Sequence, residues 1–150
     1  MSTASAHGPG FTIRTVRWQE ESAKLKAVRH EVFVIEQGVP LELELDEIDP
    51  DCLHALAEDE QGVAVGCGRL LPDGHIGRMA VLADWRGHGV GSAILAHLID
   101  LARRHGHPRV VLNAQTHATG FYSRFGFEAY GDTFDDAGIP HQAMERSLGA

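Results

Sequence analysis

The sequence predicts an α+β fold: a mixed, mostly antiparallel sheet flanked by helices. Three observations carry this. Short segments in the middle of the chain alternate apolar and polar residues and are separated by tight turns. A later segment, beginning near Gly89, carries a helical apolar stripe with a well-marked end. The order of segments is strand, helix, three strands, helix, strand, helix, two strands, which is not the regular alternation of a parallel α/β sheet.

Phe11, Ile13 and Val16, with Thr12 and Thr15, predict the first strand. From Gln19 to Gln37 the period changes. Leu25, Val28, Val32 and Ile35 recur at spacings of three and four, predicting one helix that Gly38 and Pro40 stop. Glu42–Asp51 is acidic and reads as loop or short helix. Cys52–Glu58 and Val63–Leu71 are predicted strands around the turn Asp59-Glu60-Gln61-Gly62. Pro72-Asp73-Gly74 leads to a third strand over Ile76–Leu82, so the three should form an antiparallel meander. In the helix from Gly89, Val90, Ile94, Leu98 and Leu101 form the stripe. Arg103 and Arg104 fill the last turn, Gly106 caps it and Pro108 follows. Val110–Leu112 is a short buried strand and Thr116–Arg124 a short helix. Phe127–Phe134 and Gln142–Leu148 are the final strands, separated by Asp135-Asp136-Ala137-Gly138. Residues 1–10 are expected to be a disordered lead-in, and residues 11–150 a single domain.

Composition narrows the function. Apolar residues make up 43% of the 150, enough for a core. No apolar run approaches the ~20 residues of a membrane-spanning helix, and the N-terminus lacks the basic-then-apolar pattern of a secretory signal. No membrane association and a cytoplasmic location are therefore expected. Cys52 and Cys67 are too far apart for a CxxC motif and read as reduced core thiols. A net charge of −8 argues against nucleic-acid binding. The charge is uneven: Glu42, Glu44, Asp46, Glu47, Asp49 and Asp51 lie together, whereas Arg78, Arg86, Arg103, Arg104, Arg109 and Arg124 all fall in the second half. An anionic ligand would favour that half. Ten histidines show no HExxH and no paired His-and-Cys spacing, so no metal is expected.

The strongest local signal is Arg86-Gly87-His88-Gly89-Val90-Gly91, between a predicted strand and a predicted helix. Glycines allow close backbone approach and positive φ, and a helix start offers unpaired amides to an anion. Strand, glycine turn and helix together suit a diphosphate. The dinucleotide fingerprint GxGxxG fails at Ser92, and the GxxxxGK[ST] phosphate loop is absent. On the loop alone, an ordinary tight turn remains an alternative.

Arg86, Gly89 and Gly91 match the Arg/Gln-x-x-Gly-x-Gly/Ala pattern that follows a strand in GNAT acyltransferases. Downstream, Asn113 on a strand, then Ala118, Phe121-Tyr122 and Gly126-Phe127, resemble that family's A-x-x-F-Y-x-x-x-G-F pattern. With the order of elements, the resemblance spans residues 11–148. A narrower resemblance, to the ElaA-like subgroup, rests on Arg29, Val32-Phe33, Glu36-Gln37, Asp46, Asp49, His54, Ile76 to Val81, Leu112 to Gln115 and Gly138 to His141.

This resemblance implies a sheet splayed in its middle to hold acyl-CoA. Met79, Ala80 and Val81 would pair with the pantetheine amides. Arg86 and the amides of Gly87, His88, Gly89, Val90, Gly91 and Ser92 would hold the diphosphate. Asn113 would lie where the splayed strand opens a groove for the thioester. The implied activity is transfer of an acetyl or short acyl group from acetyl-CoA, or another acyl-CoA, to a primary amine of a small-molecule or peptide acceptor. The acidic stretch suggests a cationic acceptor, and a homodimer is the assembly to test. Tyr122 is the candidate general acid for the departing thiolate, since a phenol of pKa ~10 is protonated at neutral pH. For the base, Glu36 and His141 rank ahead of Asp49 and His54. Neither cysteine lies near a motif, which favours direct attack over an acyl-enzyme. Two other readings are a non-catalytic acyl-CoA sensor and, from the Arg29–Phe33 region, a synthase of the acyl-homoserine-lactone type.

Overall fold

In a computed structural model, which describes residues 7, 8 and 10–149, the sheet begins with His7–Gly8 (β1) and Phe11–Val16 (β2). The remaining residues expected in the lead-in, 1–6 and 9, lie outside the described ones. The other strands are Leu53–Asp59 (β3), Ala64–Leu70 (β4), His75–Val81 (β5), Arg109–Gln115 (β6), Glu128–Ala129 (β7), Phe134–Asp136 (β8) and Ile139–Ser147 (β9). Their order is β1-β2-β3-β4-β5-β6-β9-β7, with β8 also paired to β9. Among the described residues only β5 and β6 pair in parallel. The mixed, mostly antiparallel sheet is thus the predicted one.

Two helices sandwich it. Trp18–Arg29 (α1) covers one face, where Leu25 and Val28 meet Val16, Leu56 and Cys67. Val90–Arg104 (α3) covers the other, where Ile94, Leu95 and Leu98 meet Ile13, Ala55 and Val110. Between them Leu41–Glu44 (α2) is a single turn, and Thr119–Ser123 (α4) follows β6. Gly66 and Gly68 on β4 let α3 sit close. A Cβ at Gly66 would lie 2.9 Å from Ile94 Cδ1, and one at Gly68 would lie 2.8 Å from Leu98 Cδ1. The end of α3 is as its sequence requires: Gly106 takes φ +80° and His107 N–H donates to the Ala102 carbonyl at 3.0 Å. No helix among the described residues is long and apolar enough to cross a membrane.

Three expectations need correction. The helix predicted over Gln19–Gln37 is not one α-helix. After Arg29 it widens into a π-helix, His30–Glu36. Val32, Val34 and Ile35 are β-branched and crowd the preceding α-turn, so this stretch specifies an α-helix weakly. The strand predicted over Phe127–Phe134 breaks into β7 and β8, with Gly131 at φ +72° between them. The last strand starts at Ile139, not Gln142, because the Ala137-Gly138 turn folds β8 back onto β9 as a hairpin.

Candidate active site

β5 and β6 are bonded only at His75–Val111 and Ile76–Leu112. Beyond these pairs β5 stays with β4 as far as Val81, and β6 stays with β9 as far as Gln115. Each strand follows its outer partner, so the two diverge. A cavity of about 860 Å³ opens between them, with Gly77 to Val81 on one wall and Leu112, Asn113 and Gln115 on the other. The inner edge of β5 is left without a strand partner, and backbone groups there need one. The Val81 carbonyl accepts the Arg86 Nε–H at 3.0 Å. β5 also bulges. Cys67 pairs with Ala80 and Arg69 with Gly77, so Arg78 and Met79 together oppose Gly68. Arg78 takes φ +50° at that bulge.

The glycine loop lies beyond the end of β5. Gly87 and Gly89 have φ +81° and +85°, and an added Cβ at either would meet nothing within 4 Å. They are required by backbone conformation and leave open space above the loop. Gly89 caps α3 with no side-chain bond, and the first turn holds no acidic residue. Ala93 N–H donates to the Gly89 carbonyl at 3.0 Å, so the amides of Val90, Gly91 and Ser92 precede the helical ladder. His88 packs on Trp85, ring centres 5.8 Å apart, and buried Val90 anchors the helix start. A free strand edge leading to an uncapped helix N-terminus fits an extended chain that carries a diphosphate.

Tyr122 on α4 lines the same cavity as Asn113. Its hydroxyl donates to Met79 Sδ at 3.9 Å, and its ring packs between Phe121 and Phe127. Burial pushes its pKa up to about 12. His141 on β9 also lines the cavity and stacks on Phe134. Its Nδ1 lies 2.7 Å from the Ile139 carbonyl. A carbonyl only accepts, so Nδ1 carries a proton, and in the neutral ring Nε2 is the acceptor. Glu36 lies at the cavity mouth in a two-pronged ion pair with Arg86, at 2.5 and 2.7 Å. That hydrogen bonding holds the Glu36 carboxyl below its usual range and raises the Arg86 guanidinium.

The other two base candidates lie elsewhere. Asp49 is 1% exposed and accepts from two arginines: Arg29 Nη1 at 2.9 Å and Arg69 Nη1 at 2.7 Å on Oδ1, and Arg29 Nη2 at 3.0 Å on Oδ2. Burial alone would raise its pKa, but the hydrogen bonds from Arg29 prevail and hold it low. Buried His54 bonds through Nε2 to the Asp49 carbonyl at 2.9 Å. Neither lines the cavity. Asp49, Cys52 and His54 form a cluster of metal-ligand type. With both Asp49 oxygens taken by guanidinium groups, a cation there would meet like charge.

The acidic stretch is not the open funnel its sequence suggests. Glu44 pairs with Arg29 at 2.9 Å and Asp46 with Arg69 at 2.7 Å. With Asp49, three of its six acids are neutralised, and only Glu42, Glu47 and Asp51 remain exposed. Arg69 and the bulge residue Arg78 thereby join the cavity lining, a placement sequence reasoning missed. The available signal was an acidic run without local cations, which has to find them at a distance. Also missed was a reciprocal amide pair, Gln37 with Gln115 at 3.0 and 3.4 Å, which links the π-helix to β6.

Residues 19–148 match the family model described as an acetyltransferase (GNAT) domain. The uncharacterized N-acetyltransferase YjcF of Bacillus subtilis is 41% identical over 121 residues, which cover 78% of this chain and 86% of YjcF. The crystal structure of an acyl-CoA N-acyltransferase from Pseudomonas aeruginosa superposes with a TM-score of 0.83 at 30% identity, covering 91% of this chain and 99% of that one. Escherichia coli ElaA superposes with a TM-score of 0.82 at 27% identity and the same coverage.

Proposed function

Because this chain belongs to the GNAT acetyltransferase family, we propose that it moves an acetyl or short acyl group from CoA to a primary amine of a small-molecule or peptide acceptor by direct attack. One observation carries the reading: the divergence of β5 and β6 after Ile76–Leu112, opening toward the uncapped start of α3. Met79, Ala80 and Val81 would bind the pantetheine along the free strand edge. Arg86 and the amides from Gly87 to Ser92 would bind the diphosphate, where the helix dipole favours negative charge.

His141 Nε2, directly or through one water, takes the proton that the ammonium group must lose before it attacks. The amine then adds to the thioester carbonyl, the carbon–sulfur bond breaks, Tyr122 supplies the proton that the sulfur keeps, and the second proton that the nitrogen sheds in becoming an amide returns to the Tyr122 oxygen. Burial holds the proton on Tyr122 until then. The same lack of water raises the proton affinity of the departing thiolate, so the transfer is matched. Glu36, held by Arg86, serves to position the arginine. Cys52 and Cys67 are buried, and burial pushes their thiols up to about 11 and about 12, so neither suits an acyl-enzyme.

The test measures CoA-thiol release from acetyl-CoA over a panel of primary amines, beside calorimetry of CoA binding. Amine-dependent release supports the reading. Binding without release for any amine would make the chain a binding module. No CoA binding would remove the reading altogether.

A further inference from the structure

Three guanidinium groups, of Arg29, Arg69 and Arg78, share three carboxylates, of Glu44, Asp46 and Asp49. The sharing is unequal. Arg29 takes both oxygens of Glu44 and both of Asp49, at 2.9 to 3.0 Å. Arg69 takes Asp49 and Asp46, each at 2.7 Å. Arg78 is last in line. Its nearest carboxylate oxygen is Asp46 Oδ2 at 3.8 Å, already bound by Arg69. Its own hydrogen bonds go to two carbonyls, Glu44 at 3.2 Å and Leu43 at 3.4 Å. Among the described residues, the buried side-chain atoms without a partner are Arg69 Nε and Arg78 Nε. Both arginines line the cavity between β5 and β6.

The backbone is arranged around the same place. Arg78 and Ala137 are the described non-glycine residues with positive φ, and both line this cavity. Side chains other than glycine avoid that region, and where they occupy it the surroundings hold them there. The bulge also separates two neighbours. Met79 turns toward Tyr122, whereas Arg78 turns toward α2.

We infer that Arg78, with Arg69 behind it, recognises a carboxylate on the acceptor, so that the substrate class is a primary amine that also carries a carboxylate, of amino-acid type. This rests on the acyltransferase reading and adds the acceptor class to it. A planar guanidinium short of an anion is matched by a carboxylate, which accepts two parallel N–H bonds. Burial, with Arg69 and Arg29 nearby, makes the charge on Arg78 costly and lowers its pKa. A bound carboxylate offsets that cost.

The experiment compares, for the same side chain, the amino acid, its neutral carboxamide and the amine lacking the carboxyl group, all as acceptors for acetyl-CoA. The amino acid should exceed both in kcat/KM by about 30-fold or more, because a partly buried guanidinium left unpaired penalises the analogues. Arg78→Gln and Arg78→Lys should collapse that ratio, mainly through KM. Equal or better turnover of the amides or simple amines overturns the carboxylate site and leaves the acyltransferase reading intact. If no acceptor turns over, the CoA-bound wild-type protein is titrated with the N-acetylated amino acids and the N-acetylated amines. Selective binding of the acids supports the site, and its absence overturns it. CoA binding in the same titration reports on the acyltransferase reading separately.

Discussion

Arg86 spans the cavity mouth to grip Glu36 through both terminal nitrogens, at 2.5 and 2.7 Å, while its Nε–H holds the end of β5 through the Val81 carbonyl. The arginine at the head of the glycine loop is thus tethered to the π-helix, 50 residues earlier in the chain. Glu36→Gln should loosen the fork. An exposed ion pair is worth little, so CoA affinity should change by no more than about fivefold. If Glu36 only positions Arg86, kcat should fall less than about tenfold, short of the loss typical of a missing base. A drop of about 10²-fold or more with unchanged CoA affinity would return Glu36 to the role of base.

Tyr122→Phe keeps the ring against Phe121 and Phe127 and removes the hydroxyl. Loss of a general acid should lower kcat by roughly 10²–10⁴-fold. CoA affinity should barely move. Because burial pushes the phenol up to about 12, the wild-type rate should show no alkaline loss from this group below that range. A kcat within threefold of wild type, the ~0.7 kcal/mol scale of a modest perturbation, would leave Tyr122 a packing residue.

Gly89→Val and Gly68→Val should separate binding from folding. At Gly89 nothing in the protein opposes a Cβ, but φ +85° does, and the branches would fill the space above the loop. CoA affinity should fall by about tenfold or more, with strain of roughly 1–2 kcal/mol lowering Tm modestly. At Gly68 a Cβ would meet Leu98 Cδ1 at 2.8 Å and Met79 Cγ at 3.0 Å in the packed layer under α3. Overpacking there should cost roughly 1–3 kcal/mol in a denaturant melt. Equal effects of the two variants on Tm, with unchanged CoA affinity, would remove the loop from the binding site.

Asp49→Asn leaves Arg29 and Arg69 short of a buried anion and should destabilise the protein by about 3–5 kcal/mol at pH 7. The pH dependence follows from direction. The folded pKa of Asp49 is depressed, so its contribution is present above the unfolded value of ~3.9 and is lost as pH falls through the folded one. The variant should therefore lose less stability than wild type between neutral pH and pH 3. A parallel loss in both would mean that Asp49 is not what acid titrates.

His54 and His97 act earlier on the same scale. Burial lowers both, so each stays neutral in the fold while the unfolded chain takes up protons from pH ~6.5 downward. Stability should begin to fall below that pH, well before the carboxylates titrate. His97→Gln, which can retain a contact with Thr15, now 2.7 Å from His97 Nε2, should flatten that first stage. No change in slope between pH 7 and 5 would rule His97 out as a contributor.

The parts of this protein that were legible in its sequence are those whose cause is local. The stripe and glycine end of α3, the turns at Asp59–Gly62 and Pro72–Gly74, and the glycine loop each depend on residues a few positions apart, so composition and spacing suffice. Tyr122, Asn113 and His141 were singled out by the resemblance to the GNAT patterns and not by spacing, and the fold brings them to one cavity. What only the tertiary structure decided is how distant charges share one another. Asp49 and His54 looked like candidates for chemistry until folding set Asp49 between Arg29 and Arg69, each 20 residues away, and turned His54 onto its carbonyl. The acidic stretch looked like a free surface until three of its carboxylates found arginines. The same pairing left Arg78 at a bulge with a buried donor unfilled. Spacing along a chain reports a side chain's neighbours within one element. Burial and partner choice depend on which elements pack together, and a charge taken out of water must accept whatever partner that packing supplies.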